Sequence, residues 1–137
     1  GKGAYLNDRR IRVSARKKVD TAVFATGIPF LGRTSSEQET LFMNQLNHVM
    51  PQCSGIRRFG SAALDLAWVA AGRYDGFWEY GLQQWDIAAG TLIVREAGGF
   101  VSDFSSRDTI LQTGNIVAAN AGLHVSLLKM LRKGEKA

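Results

Sequence analysis

Between residues 19 and 133 the chain alternates short apolar runs, closed by Gly or Pro, with longer segments of helical period. That alternation restricts the fold more than any other feature. "VDTAVFATGIPF" (19–30) is rich in small and β-branched residues, stops at Gly27 and Pro29, and reads as a buried strand. "TSSEQETLFMNQLNHVM" follows as a helix. Ser35 and Gln38 have capping-box spacing, Leu41, Met43, Leu46, Val49 and Met50 supply an apolar face, and Pro51 ends it. A short strand is expected at 55–59, then a second helix over 60–72 with Ser61 as N-cap and Gly72 as terminator. The many alanines of that helix permit close packing. The aromatic run 74–80 reads as a strand. A third helix over 86–99 is apolar at Ile87, Ala88, Leu92, Ile93 and Ala97. Two strands (100–104 and 114–120) and an amphipathic helix (122–133) close the series, the last with basic residues where the macrodipole favours them. The expected fold class is α/β, a sheet covered by helices on both faces.

The first 14 residues do not fit this alternation. "GKGAYLNDRRIRVS" reads as two short strands around the turn residues Asn7-Asp8, and an isolated hairpin is marginal in water. The sequence therefore looks as if it starts in the middle of something.

Composition narrows the function classes. The 45% hydrophobic fraction is ordinary for a globular chain, and no apolar run approaches the length of a membrane span. A single Cys53 can form no internal disulfide and no zinc site by itself, which makes a reducing cytoplasm the default location. Seventeen Lys and Arg against twelve acids give +5, compatible with a phosphorylated ligand or RNA but equally with a solvated surface. The basic clusters "RRIRVSARKK" and "KMLRKGEK" are too short to count as a nucleic-acid motif.

The stretch "EYGLQQWDIAAG" (79–90) carries the most pointed chemistry. Asp86 stands at a helix start, where an acid commonly satisfies backbone N–H groups, yet a lone carboxylate also suits one part of a split Mg²⁺ site. Trp85 beside it reads as a packing residue that would fix the carboxylate's direction. Glu79, at a strand end, is either a solvated acid or an acceptor for substrate hydroxyls. Asp86 stands seven positions on from Glu79, enough to follow the rim formed by the carboxyl ends of strands, where α/β proteins bind ligands. "GSAA" (60–63) offers a glycine for close approach and a helix N-terminus, a weak signal in isolation. Arg57 upstream could face a phosphate or a subunit contact. His48, His124, Cys53, Asp65 and Glu96 read as structural or surface residues. No Ser-His-Asp arrangement, P-loop, CxxC or GxGxxG occurs.

"WDIAAGTLIVREAGG" (85–99) closely resembles the C-terminal signature of the inositol monophosphatase family. "GKGAYLN", "GSAALDLAWVAAGRYDGFWEYGL" and "NIVAAN" fall in family order, so the resemblance covers nearly the whole chain and is most similar to the bacterial suppressor branch. The resemblance implies the C-terminal sheet-and-helix layer of that layered fold, with 1–14 as the last strands of a truncated N-terminal domain and 15–137 as a C-terminal α/β domain. It implies Asp86 as a Mg²⁺ ligand and Glu79 as the acceptor of ring hydroxyls. Gly60, Ser61 and Ala62 become the substrate-lining helix start, and Arg57 an arginine near the substrate and dimer contact. It further implies Mg²⁺-dependent hydrolysis of inositol-1-phosphate or a related sugar phosphate by a homodimer.

The departures are informative. The family's other metal ligands lie in a G-E-type motif and a D-P-I/L-D-G-T motif, and neither occurs in these 137 residues. One carboxylate cannot build a two-metal clamp, so this chain alone is expected to be inactive. The resemblance also implies an alternative of another class, a non-catalytic interaction protein working with RNA polymerase or antitermination factors. A retained dimerisation module is a third reading, since open sheet edges favour association.

Overall fold

The computed structural model describes residues 1–29 and 34–137. A hairpin of β1 (Tyr5–Leu6) and β2 (Arg9–Arg10) precedes a five-stranded sheet. Asn7 and Asp8 both take positive φ, 49° and 64°, in the two-residue loop, as a tight hairpin turn of matching twist requires. The sheet strands are β3 (Val23–Thr26), β4 (Gly55–Arg57), β5 (Gly76–Glu79), β6 (Phe100–Ser102) and β7 (Ile116–Ala119), in spatial order β4-β3-β5-β7-β6. β3 is parallel to both β4 and β5, while β7 lies antiparallel between β5 and β6. The helices are α1 (Ser36–Val49), α2 (Ala62–Ala70), α3 (Gln84–Glu96), the single-turn α4 (Ile110–Thr113) and α5 (Ala121–Glu135).

The two-residue period of the strands sorts the core into two layers. Ala25, Phe77, Ile116 and Ala118 face one way and pack with Leu66 and Val69 of α2 and Ile87 and Val94 of α3. Their neighbours Phe24, Trp78, Val117 and Ala119 face the other way, against Phe42 and Val49 of α1 and Leu123, Leu127 and Leu131 of α5. A one-residue slip in any of these strands would exchange its two faces. With roughly 1.5–3 kcal/mol at stake for each large side chain buried, the register is firmly set. The α/β sheet with helices on both faces is therefore as the sequence implies.

Several local readings need correction. The strand expected over 19–30 is extended only at 23–26; Val19–Thr21 forms a 3-10 turn, and Phe30 lies outside the described residues. On α1 the buried residues are Phe42, Gln45 and Val49, whereas Met43 and Met50 are exposed. The helical spacing was right, but the burial stripe is rotated toward Phe42, the bulkiest apolar side chain. The capping box is present: Ser35 Oγ accepts from Gln38 N–H, and Gln38 Oε1 accepts from Ser35 N–H. α3 begins at Gln84 rather than Asp86, and the turn α4 carries no sequence pattern long enough to announce itself. The close approach of α2 and α3 is made at a glycine of α3: Leu66 lies where a side chain on Gly90 would go.

The hairpin does not stand apart. Ala4 is buried in the α2–α3 layer, Ile11 and Val13 pack against it, and Val13 N–H donates to Ala97 O at 3.0 Å.

Candidate functional site

The site follows from connectivity. The chain leaves β3 toward α1 on one face of the sheet and leaves β5 toward α3 on the other. Adjacent parallel strands whose following segments diverge leave a crevice at their carboxyl ends, where α/β proteins bind ligands. A cavity of about 440 Å³ lies there, lined on the β3 side by Gly27, Thr34 and Phe42 and on the β5 side by Glu79, Tyr80 and Asp86.

Glu79 is the last residue of β5, and its register opposite Ile116 of β7 fixes where its side chain leaves the sheet. The carboxyl lies against the Cα of Gly27, in the space that any Cβ at position 27 would occupy. This is a steric reason for glycine just past the end of β3. Burial pushes the Glu79 carboxyl up to about 7, reinforced by the nearby charges of Asp65 and Asp86 and opposed by Arg58. Glu79 is thus not the solvated strand-end acid of the simple reading, and no ion pair to it is formed among the described residues.

Asp86 sits in the first turn of α3, not at its cap. Its Oδ2 accepts the backbone N–H of Gln83 at 3.0 Å, the back-reaching half of a capping box, which holds the carboxylate in one direction. The structural and the ligand readings of Asp86 are compatible, because this bond occupies one oxygen direction and leaves a half-buried carboxylate on the cavity wall. Trp85, expected to pack, is 79% exposed. The direction of Asp86 therefore comes from the Gln83 bond and not from the indole.

The remaining sequence candidates lie next door, at the end of β4 and the start of α2, and do not line the cavity. Ser61 caps α2, its Oγ accepting from Leu64 N–H at 3.4 Å. Gly60 has φ of 93°, and Ala62 opens the helix. Arg57 is turned back on its own strand, donating to Ile56 O at 3.1 Å.

Two residues that sequence reasoning passed over belong to the same electrostatic neighbourhood. Arg58, not Arg57, is the arginine whose charge reaches Glu79 and Asp65, and its guanidinium lies 3.1 Å from where a Cβ on Gly60 would be. Asp65 is 1% exposed, and neither carboxylate oxygen has a hydrogen-bond partner among the described residues. Burial pushes its carboxyl up to about 6, with Arg58 opposing. The available signal was an acid in the middle of the apolar run "AALDLAWVA".

Other candidates are structural. His48 Nδ1 lies 2.9 Å from Asn44 O, and His124 Nε2 lies 2.8 Å from Ser102 Oγ, whose own hydrogen goes to Asp103 O. Burial raises the pKa of the Cys53 thiol, which disfavours the reactive thiolate.

For a metal, Asp86 is a hard oxygen donor of the type Mg²⁺ takes. Among the described residues no group of three or more His, Cys, Asp or Glu gathers to hold an ion. The residues present therefore fit one ligand of a cation, not a complete coordination shell.

A mixed sheet, paired helix layers and an acid-lined crevice where the segments after β3 and β5 diverge define an open-sheet α/β domain. The inositol monophosphatase family model matches residues 1–135, and the chain belongs to that family. It is 53% identical over 133 residues to an inositol-1-monophosphatase of Mesorhizobium japonicum, an alignment spanning 97% of this chain and 49% of the relative. It is 48% identical over 132 residues to the Nus factor SuhB of Pseudomonas aeruginosa, spanning 96% and 48%. Its fold is similar to the crystal structure of the extragenic suppressor protein suhB from Bartonella henselae, with a TM-score of 0.92, 52% identity, and coverage of 98% of this chain and 50% of that one. The chain thus spans about half the length of the relatives it matches.

Proposed function

We propose that this chain is the C-terminal half of a Mg²⁺-dependent phosphomonoesterase that acts on inositol-1-phosphate or a related sugar phosphate. The observation that carries the reading is the convergence of Glu79 and Asp86 on one crevice where the chain diverges from β3 and β5. Asp86 is the residue that would ligate the metal, its carboxylate aimed by the Gln83 N–H bond. Glu79, held against Gly27, would accept hydrogen bonds from substrate hydroxyls. Gly60, Ser61 and Ala62 would border the substrate from the start of α2. The positive field near the phosphate would come from Arg58 in preference to Arg57, which bonds its own strand. Bound Mg²⁺ supplies charge neutralisation at a phosphoryl group and a water of lowered pKa. This chain's residues bind, orient and exclude water around that chemistry.

In a polypeptide of family length, Asp86→Asn should lower turnover by more than about a hundredfold, since Asn keeps the acceptor for Gln83 N–H but not the charge. Unchanged turnover would sink the assignment. The 137-residue chain assayed alone with inositol-1-phosphate and Mg²⁺ should be inactive, and robust hydrolysis there would refute the argument that further ligands are needed.

We propose this enzyme as a cytoplasmic homodimer. A second reading, supported by the relatives named Nus factor SuhB, is an interaction role with RNA polymerase or antitermination factors. The same Asp86→Asn variant separates the two roles. Partner capture that survives loss of hydrolysis makes them independent, and loss of both ties binding to the metal site. Among the described residues no helix is long and apolar enough to cross a membrane.

A further inference from the structure

The two acids of the site are joined by residues 80–85, and the chain itself does little to stiffen that link. Its first part is irregular, with Gly81 at φ of 63°. Its stiffness comes from elsewhere in the sequence. Gly81 N–H donates to Asn115 Oδ1 at 3.0 Å, and Leu82 N–H donates to Gly114 O at 2.9 Å. Gly114 takes φ of 72°, and the Leu82 carbonyl fills the space a Cβ on residue 114 would need. Two successive amides of the link are therefore captured by two successive residues, at a contact too close for any side chain. The capturing pair is itself anchored. Gly114 ends α4 by donating to Ile110 O at 2.8 Å, and Asn115 N–H donates to Thr113 Oγ1 at 3.2 Å. Thr109, at the head of the turn, donates from Oγ1 to the buried Asp103 at 2.5 Å.

From this geometry we propose that Gly114 and Asn115 are positioning residues of the Glu79–Asp86 site, setting the distance and direction between the hydroxyl-binding acid and the metal-binding acid. Neither touches the cavity. They act through the amides of Gly81 and Leu82, and the turn α4 is the bracket that carries them. The inference rests on the site reading given under Proposed function.

The test uses a polypeptide of family length. Asn115→Leu removes the acceptor at similar volume, and Asn115→Asp restores an oxygen at the same place. Gly114→Ala is the stronger lesion, but a failure to fold would make it uninformative, so the Asn115 pair decides. Asn115→Leu should weaken Mn²⁺ binding, read directly by electron paramagnetic resonance, by about tenfold, the effect typical of losing a group that orients a metal ligand. It should also raise KM for inositol-1-phosphate and speed amide exchange at Gly81. Asn115→Asp should recover Mn²⁺ affinity and KM. The proposal is overturned if Asn115→Leu binds Mn²⁺ and substrate like the parent protein, or if Asn115→Asp is as impaired as Asn115→Leu. Asp86→Asn run beside them tells the two failures apart. If it loses Mn²⁺ binding while Asn115→Leu does not, only the positioning role falls. If Asp86→Asn itself binds Mn²⁺ normally, the site reading falls and the positioning role with it.

Discussion

β5 carries an acid beside each end, and their surroundings are opposite. Asp75, just before the strand, is bound on every side. Ser14 Oγ donates to its Oδ1 at 2.5 Å, Val23 N–H to its Oδ2 at 2.8 Å, and the Arg16 guanidinium lies 3.2 Å away. It ties the segment leaving the hairpin to the first sheet strand. Glu79, four residues on, meets burial and the like charges of Asp65 and Asp86. One acid is surrounded by donors and holds the fold. The other lies at the mouth of a crevice, where among the described residues only the charge of Arg58 opposes the burial and like charges around it.

Breaking the first acid should be the costlier change. Asp75→Ala leaves the Val23 amide and the Ser14 hydroxyl without their acceptor and is expected to cost about 3 kcal/mol. A fall in Tm of roughly 10 °C would register it. A loss below about 1 kcal/mol would mean that water takes over the role of Asp75.

Asp65 sharpens the comparison from the other side, because its removal should stabilise. Its folded-state value, about 6, lies above the ordinary 3.8, so the native chain holds this proton more tightly than the unfolded one. The contribution to stability is therefore most favourable below pH 4, declines as pH rises from about 4 to about 6, and is an unrelieved penalty beyond. Asp65→Asn should be more stable than the parent by about 2 kcal/mol at pH 7, with the difference vanishing near pH 4. Urea titrations at the two pH values measure it, and an equal gain at both would show that the charge was not the cause.

Gly27→Ala probes the steric seat of Glu79. The added methyl must displace the Glu79 carboxyl, at a cost of about 1–2 kcal/mol and with weaker substrate binding. A crystal structure of the variant with Glu79 unmoved would remove the reason given for the glycine. The smallest stability effect is expected of Glu79→Gln. Removing a destabilised charge should leave the fold within about 1 kcal/mol of the parent, or slightly above it, while KM rises. A large loss of stability would place Glu79 with Asp75 among the acids that hold the fold.

The order of elements was legible because strand and helix periods are local properties of a sequence. Ser35 and Ser61 could cap their helices wherever those helices packed. Glu79 and Asp86 were legible as candidates because a short stretch contains both. What failed was long-range. Trp85 is exposed and Met43 turned outward because helix rotation is settled by the partner surface. Arg57 still belongs to β4 and bonds the Ile56 carbonyl of that strand, whereas Arg58 lies just past the strand end, and only the fold brings its charge near Glu79.

By itself, then, the sequence determined the α/β alternation, the caps of α1 and α2, the family and the short stretch that holds the two candidate acids. Tertiary structure alone decided that β7 enters the sheet antiparallel between β5 and β6, and that α1 and α3 diverge to open the crevice. It also decided that a buried aspartate on α2 lies near enough for its charge to reach Glu79, and that a turn some thirty residues downstream captures two amides of the link between Glu79 and Asp86. The reason is physical. Backbone period, capping and turn preference act over a few residues, whereas desolvation, charge coupling and the capture of one loop's amides by another depend on what the fold brings near.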